Sequence, residues 1–98
     1  MGNFIKLING ETPVLTDFHA TWCGPCQAMA PILKQVKSGL EDKVTVVKID
    51  VDKNQAAANR FNVRGVPTLV LFKNGKIVWR KSGVMPAEQL IAEIEPFL

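Results

Sequence analysis

The only two cysteines of the chain, Cys23 and Cys26, stand three positions apart in Trp22-Cys23-Gly24-Pro25-Cys26. On a helix that spacing is close to one turn, so the two sulfurs can meet, and Cys26 can displace whatever group Cys23 has become bonded to. Such a pair cycles between dithiol and disulfide by exchanging two electrons. The chemistry needs an anion, because the thiolate and not the thiol is the nucleophile. A helix N-terminus supplies the conditions for one at Cys23, with unpaired N–H groups and the positive end of the helix dipole. Two other uses of the pair stay open on spacing alone. A structural disulfide would suit a small secreted domain, although so short a ring gains little loop-closure entropy. A zinc site needs four ligands, and the sequence adds only the lone His19, with no second Cys-x-x-Cys.

Hydrophobic periodicity places the pair at a handover from strand to helix. Val14 to Ala20 and Val44 to Val51 are apolar runs, rich in β-branched residues and short enough for buried parallel strands. Between them the spacing of Met29, Ile32, Leu33, Val36 and Leu40 predicts a long helix that starts near Cys23 to Cys26 and ends before Lys43. Pro31 falls inside it and removes one backbone donor, which predicts a kink. Phe4, Leu7 and Ile8 predict a short helix at the start, capped by Asn3 and stopped at Asn9-Gly10. Asn54 to Phe61 forms a third helix. Thr68 to Lys73 and Lys76 to Ser82 are strands joined by Asn74-Gly75, whose residue types suit a type I′ hairpin turn. The last helix runs from about Pro86 to Leu98, with Leu90, Ile91, Ile94 and Phe97 on one stripe. The order αβαβαββα, with a right-handed crossover and a hairpin, predicts an α/β fold whose mixed four-stranded sheet is flanked by helices.

Composition excludes several classes. Ninety-eight residues leave room for one domain, expected over 1–98, and 47% hydrophobic against 21% charged residues is too apolar for disorder. No apolar run nears the roughly 18 residues of a membrane span. Met1 to Glu11 has no signal-peptide core, and Lys6 stands where a myristoylation site wants Ser or Thr. A soluble, cytoplasmic protein is expected, with an exported form whose leader has been removed as the other reading. The net charge of +3 is spread over scattered lysines and arginines with no run of three, so no nucleic-acid partner is expected.

Asp17-Phe18-His19-Ala20-Thr21-Trp22-Cys23-Gly24-Pro25-Cys26, followed by Ala30-Pro31-Ile32-Leu33, resembles the thioredoxin family. The resemblance continues through Val44 to Asp50, Val63-Arg64-Gly65-Val66-Pro67-Thr68-Leu69 and Phe72-Lys73-Asn74-Gly75, and ends at Gly83. Trp-Cys-Gly-Pro-Cys with Val-Pro-Thr about forty residues later is far more specific than Cys-x-x-Cys alone. It implies the thioredoxin fold and a protein disulfide reductase, in which Cys23 is the attacking thiolate and Cys26 the resolving thiol. No cofactor beyond that disulfide and no metal are implied. The implied partners are a thioredoxin reductase, a flavoprotein that recharges the dithiol, and disulfide-containing client proteins. Asp17 matches the family's buried carboxylate, taken to accept the proton of Cys26. Burial supports this, since it raises a carboxyl's pKa toward neutrality, and the competing role is a structural pairing with Lys48. Pro67 matches a cis-proline beside the dithiol. Val66 would then offer its backbone to an extended substrate, with Trp22, Gly24, Pro25, Val66 and Gly83 around the docking surface. Gly24 and Pro25 bring no positive charge between the cysteines, which favours an electron donor over an oxidant. An exported oxidoreductase with a dedicated partner and a redox-inert binding module are the alternatives.

Two departures stand out. Only thirteen residues precede Val14, where the family has a strand and a helix, so the first strand is expected to be absent and the Val44 to Val51 edge open. A monomer is nonetheless expected, with edge-to-edge dimerisation as the other outcome. His19 occupies a place where thioredoxins usually carry a large aromatic. Its imidazole either fills that volume or, protonated, favours the thiolate and makes the protein more oxidising.

Overall fold

The computed structural model describes residues 1–98. In chain order it contains α1 (Gly2–Ile8), β1 (Val14–His19), α2 (Gly24–Leu40), β2 (Thr45–Asp50), α3 (Gln55–Arg60), β3 (Thr68–Lys73), β4 (Lys76–Ser82) and α4 (Ala87–Ile94). Short 3-10 turns cover Glu41–Lys43 and Glu95–Phe97. The strands form one sheet in the order β2-β1-β3-β4, with β1 and β2 parallel and the other pairs antiparallel. The fold class and the element order predicted from the sequence are both present, and β2 has an open outer edge.

Why β1 and β3 read as unbroken apolar runs follows from burial on both faces. Leu15, Leu69 and Leu71 point to the face covered by α2 and α4, where they meet Met29, Leu33, Val36, Leu90 and Ile94. Val14, Phe18, Val70 and Phe72 point the other way, against Ile8 of α1 and Ala57 of α3. Phe18 and Phe72 are wholly buried, and each contributes about 1.5–3 kcal/mol on the usual scale for an aromatic removed from water. β4, on the far edge, has no fully buried residue.

The ends of the helices depart from expectation. Asn3 does not cap α1. The helix begins at Gly2 with Met1 at the cap position and no side-chain cap, because Phe4 is fixed by edge-on packing against Phe61 and Phe72, at centroid distances of 5.9 and 5.6 Å. Tertiary packing sets this start, not a local hydrogen bond. The last helix stops at Ile94, because Pro96 has no N–H to extend it. Phe97 is consequently 37% exposed and lies off the buried stripe of Leu90 and Ile94. α2 runs through Pro31 without a break, and its C-terminus is closed by Lys37, whose Nζ donates to the carbonyls of Glu41 (2.7 Å) and Val44 (2.8 Å).

The hairpin turn is tied to α1. Asn74 and Gly75 both have positive φ, at 52° and 80°, and the Gly75 N–H donates to the Ile8 carbonyl at 2.8 Å. A Cβ on Gly75 would run into the side-chain oxygen of Asn9, whose Nδ2 donates to the Ile5 carbonyl. Gly75→Ala is therefore expected to lower stability by at least about 1–2 kcal/mol, the ordinary cost of an L-residue in the left-handed region, before the collision is counted. Thermal unfolding reads it directly, and an unchanged melting temperature would show that the turn does not hold α1.

Candidate active site

Cys23 is the N-cap of α2, in extended conformation, and its sulfur accepts from an amide of the first turn. The Cys26 N–H donates to Cys23 Sγ at 3.1 Å. The structure holds the two cysteines as a disulfide with a Cα–Cα separation of 5.2 Å. Glycine and proline in the first turn allow this. Pro25 sits where the backbone N–H has no helical partner to lose. On reduction, the Cys26 amide and the helix dipole lie where they favour an anionic Cys23 sulfur. Cys23 and Cys26 are both buried, packed with Ala20 against Val51 and Val66.

The segment before β3 closes over the disulfide. The Val66–Pro67 bond is cis, as the resemblance implied, and the Val66 carbonyl oxygen lies 3.8 Å from Cys23 Sγ. Several contacts hold this segment that the sequence did not single out. Thr68 Oγ1 bonds the Gly65 carbonyl at 2.7 Å and lies 2.9 Å from the Ser82 hydroxyl. Arg80 donates to the carbonyls of Phe61 and Asn62, fastening the loop after α3 to β4. Gly83, with φ at 97°, donates its N–H to the Pro67 carbonyl at 2.9 Å. No local pattern marks Arg80 or Ser82, since each depends on the register of β4.

Trp22 is 71% exposed, and its indole N–H donates to Asp52 Oδ2 at 2.9 Å. Asp52 is the other residue missed. The one sequence signal for it is Asp50, two positions earlier, whose Oδ1 accepts from the Asp52 and Lys53 amides and shapes the turn. Trp22 and Val66 meet at a hollow of about 140 Å³ that Val51, Val63, Arg64 and Gly65 complete. Gly24, Pro25 and Gly83 do not line that hollow. Gly24 and Pro25 stand exposed in the first turn of α2, and Gly83 lies behind Pro67.

On the opposite side of Cys26 is Asp17, 2% exposed, with Oδ1 lacking any hydrogen-bond partner. Burial pushes its carboxyl above the usual carboxylate range, and the charges of His19 and Lys48 offset only part of that rise. Lys48 faces Asp17 across the parallel β1–β2 pair, yet the two form no ion pair, and the structure's one ion pair joins Lys81 to Glu93 at 3.1 Å. The structural pairing considered from the sequence is thus not formed. His19 is half-buried at the end of β1. The largest hollow, about 740 Å³, lies elsewhere, between α1, β2 and α3, and holds no cysteine.

Comparison with known proteins gives the same reading. The Thioredoxin family model matches residues 1–96. A thioredoxin-like protein of Synechocystis sp. is 53% identical over 97 residues, spanning 98% of this chain and 92% of that protein. Thioredoxin Y, chloroplastic, of Oryza sativa is 53% identical over 92 residues, and there the match covers 94% of this chain but 55% of the relative. Among solved structures, a mutant thioredoxin from Halobacterium salinarum superposes with a TM-score of 0.90 at 39% identity, over 99% of this chain and 84% of that one. With sequence, fold and a disulfide at the head of α2 in agreement, the chain belongs to the thioredoxin family and is a thiol–disulfide oxidoreductase.

Proposed function

We propose that the protein, acting as one domain over residues 1–98, reduces protein disulfides with Cys23 as nucleophile, Cys26 as resolving thiol and Asp17 as the base that prepares Cys26. The observation that carries this reading is the cap geometry. One sulfur has an amide donor 3.1 Å away at a helix N-terminus, and the other lies on the side of the buried, unpartnered carboxyl. The Cys23 thiolate attacks one sulfur of the client disulfide, and that client's other sulfur leaves as a thiolate. Cys26 gives its proton to Asp17 and attacks Cys23 Sγ. The Cys23–Cys26 bond forms and the client's second sulfur is released.

An extended client segment would lie along Val66, with Trp22 and the hollow beside it taking an apolar side chain, and Gly24, Pro25 and Gly83 at the margin. The dithiol is regenerated by a thioredoxin reductase, and the protein works as a cytoplasmic monomer. Support for a reductant comes from Gly24 and Pro25, which add no positive charge to stabilise the dithiolate. The test is the equilibrium potential of the cysteine pair against a thiol buffer, followed by Trp22 fluorescence. A value near about −270 mV, the figure already known for thioredoxin, is expected. One nearer about −180 to −120 mV would mark an oxidant or isomerase and overturn this reading.

A further inference from the structure

A cavity of about 370 Å³ lies behind the disulfide, and Asp17, His19, Cys26, Gln27 and Lys48 all border it. Strand geometry brings them together. Asp17 and His19 are two residues apart on β1 and so share a face, while the register sets Lys48 opposite Asp17 and Asp50 opposite His19. Asp17 Oδ1 has no protein partner, so no hydrogen bond within the protein can take its proton away. Any proton that reaches Asp17 leaves across the cavity. Lys48 is a poor carrier, because a protonated lysine has no acceptor atom. A neutral imidazole has one nitrogen that accepts a proton and one that donates.

We propose that His19 carries the proton between Asp17 and bulk water, across the cavity both share with Cys26, and so returns Asp17 to its basic form in each turnover. This rests on Asp17 being the base of resolution. Cys26 S–H loses its proton to the Asp17 carboxylate as the Cys23–Cys26 bond forms and the Cys23–client bond breaks. The Asp17 carboxylic acid then protonates neutral His19, and the imidazolium passes the proton to water. Burial holds that proton on Asp17, which makes its exit the step a relay would speed. The charges facing His19 are Asp17 on its own strand and Lys48 and Asp50 on β2, and α2 presents only uncharged groups to the cavity. Asp50 is engaged by the Asp52 and Lys53 amides. His19 touches neither the disulfide nor a client in this scheme, and it is a positioning residue that acts through Asp17.

The test isolates resolution. Cys23 attacks a small aromatic disulfide at acid pH, where Cys26 stays protonated, to form a mixed disulfide with one aromatic thiol as the other leaves, and a pH jump then starts resolution while Trp22 fluorescence is followed. His19→Phe keeps an aromatic ring at a place where the family carries one. It is expected to slow resolution about 10-fold near neutrality, less than the about 10²–10⁴ of a direct general base, and to recover with added imidazole. An unchanged rate in His19→Phe would overturn the proposal, and so would a slowing that imidazole does not relieve, which would mark a space-filling ring. Asp17→Asn, run alongside, separates the two claims. If it is slow while His19→Phe is normal, only the relay fails, and if it is as fast as the parent, the base itself is misassigned.

Discussion

Cys23→Ser is expected to abolish disulfide reduction, by at least about 10³-fold, whereas Cys26→Ser is expected to react once and stop with the client attached. The asymmetry follows from where each sulfur sits. Cys23 caps α2 and has the Cys26 amide on its sulfur, so it can ionise and attack without help from Cys26. Cys26 lies within the first helical turn, with Asp17 and His19 across the cavity, a placement that suits it to release what Cys23 has captured. Mass spectrometry after incubation with a protein disulfide should find one client covalently held per Cys26→Ser molecule and none on Cys23→Ser. The reverse pattern would exchange the two roles.

Asp17→Asn should produce the second largest change, and it should move two observables in opposite directions. Resolution is expected to slow about 10²-fold near neutrality, the low end of general-base catalysis, and to converge with the parent at alkaline pH, where a thiol ionises unaided. Stability should rise. Burial raises the folded carboxyl's pKa above the ordinary 3.8, so its favourable contribution is complete below that value and is lost as pH rises through the folded value. Near neutrality the protein therefore carries the cost of a buried, incompletely paired carboxylate, and the variant does not. A gain of about 1–3 kcal/mol is expected there, about 4–8 °C in melting temperature for each kcal/mol, fading as pH falls through the raised folded value and gone below pH 3.8, where both proteins are neutral at this position. Equal melting temperatures at neutral pH would mean that Asp17 is solvated.

Much of this site is legible in the sequence, because its chemistry is local. Cys23 and Cys26 are neighbours along one helical turn, and the type I′ turn at Asn74-Gly75 is written in two residues. The four strands and their hairpin are legible too, and β2 lies at one edge of the sheet they form. What stayed hidden depends on register and tertiary packing. Asp52 under Trp22, Arg80 on the Phe61 and Asn62 carbonyls, and Thr68 beside Ser82 are pairings between distant segments, and no periodicity announces them. The Asn3 cap and the long final helix were misread for related reasons. An aromatic cluster set one start, and Pro96 set one stop ahead of the apolar stripe.

The anchoring of α1 has a consequence for how the chain acquires its structure. A helix of seven residues is unstable alone in water, since nucleation outweighs so few turns of propagation. The aromatic partners of Phe4, Phe61 and Phe72, and the Gly75 amide on the Ile8 carbonyl all lie beyond residue 60. α1 thus completes its packing late. It waits for β3, β4 and their turn, and the long sequence separation of these contacts slows the final docking step.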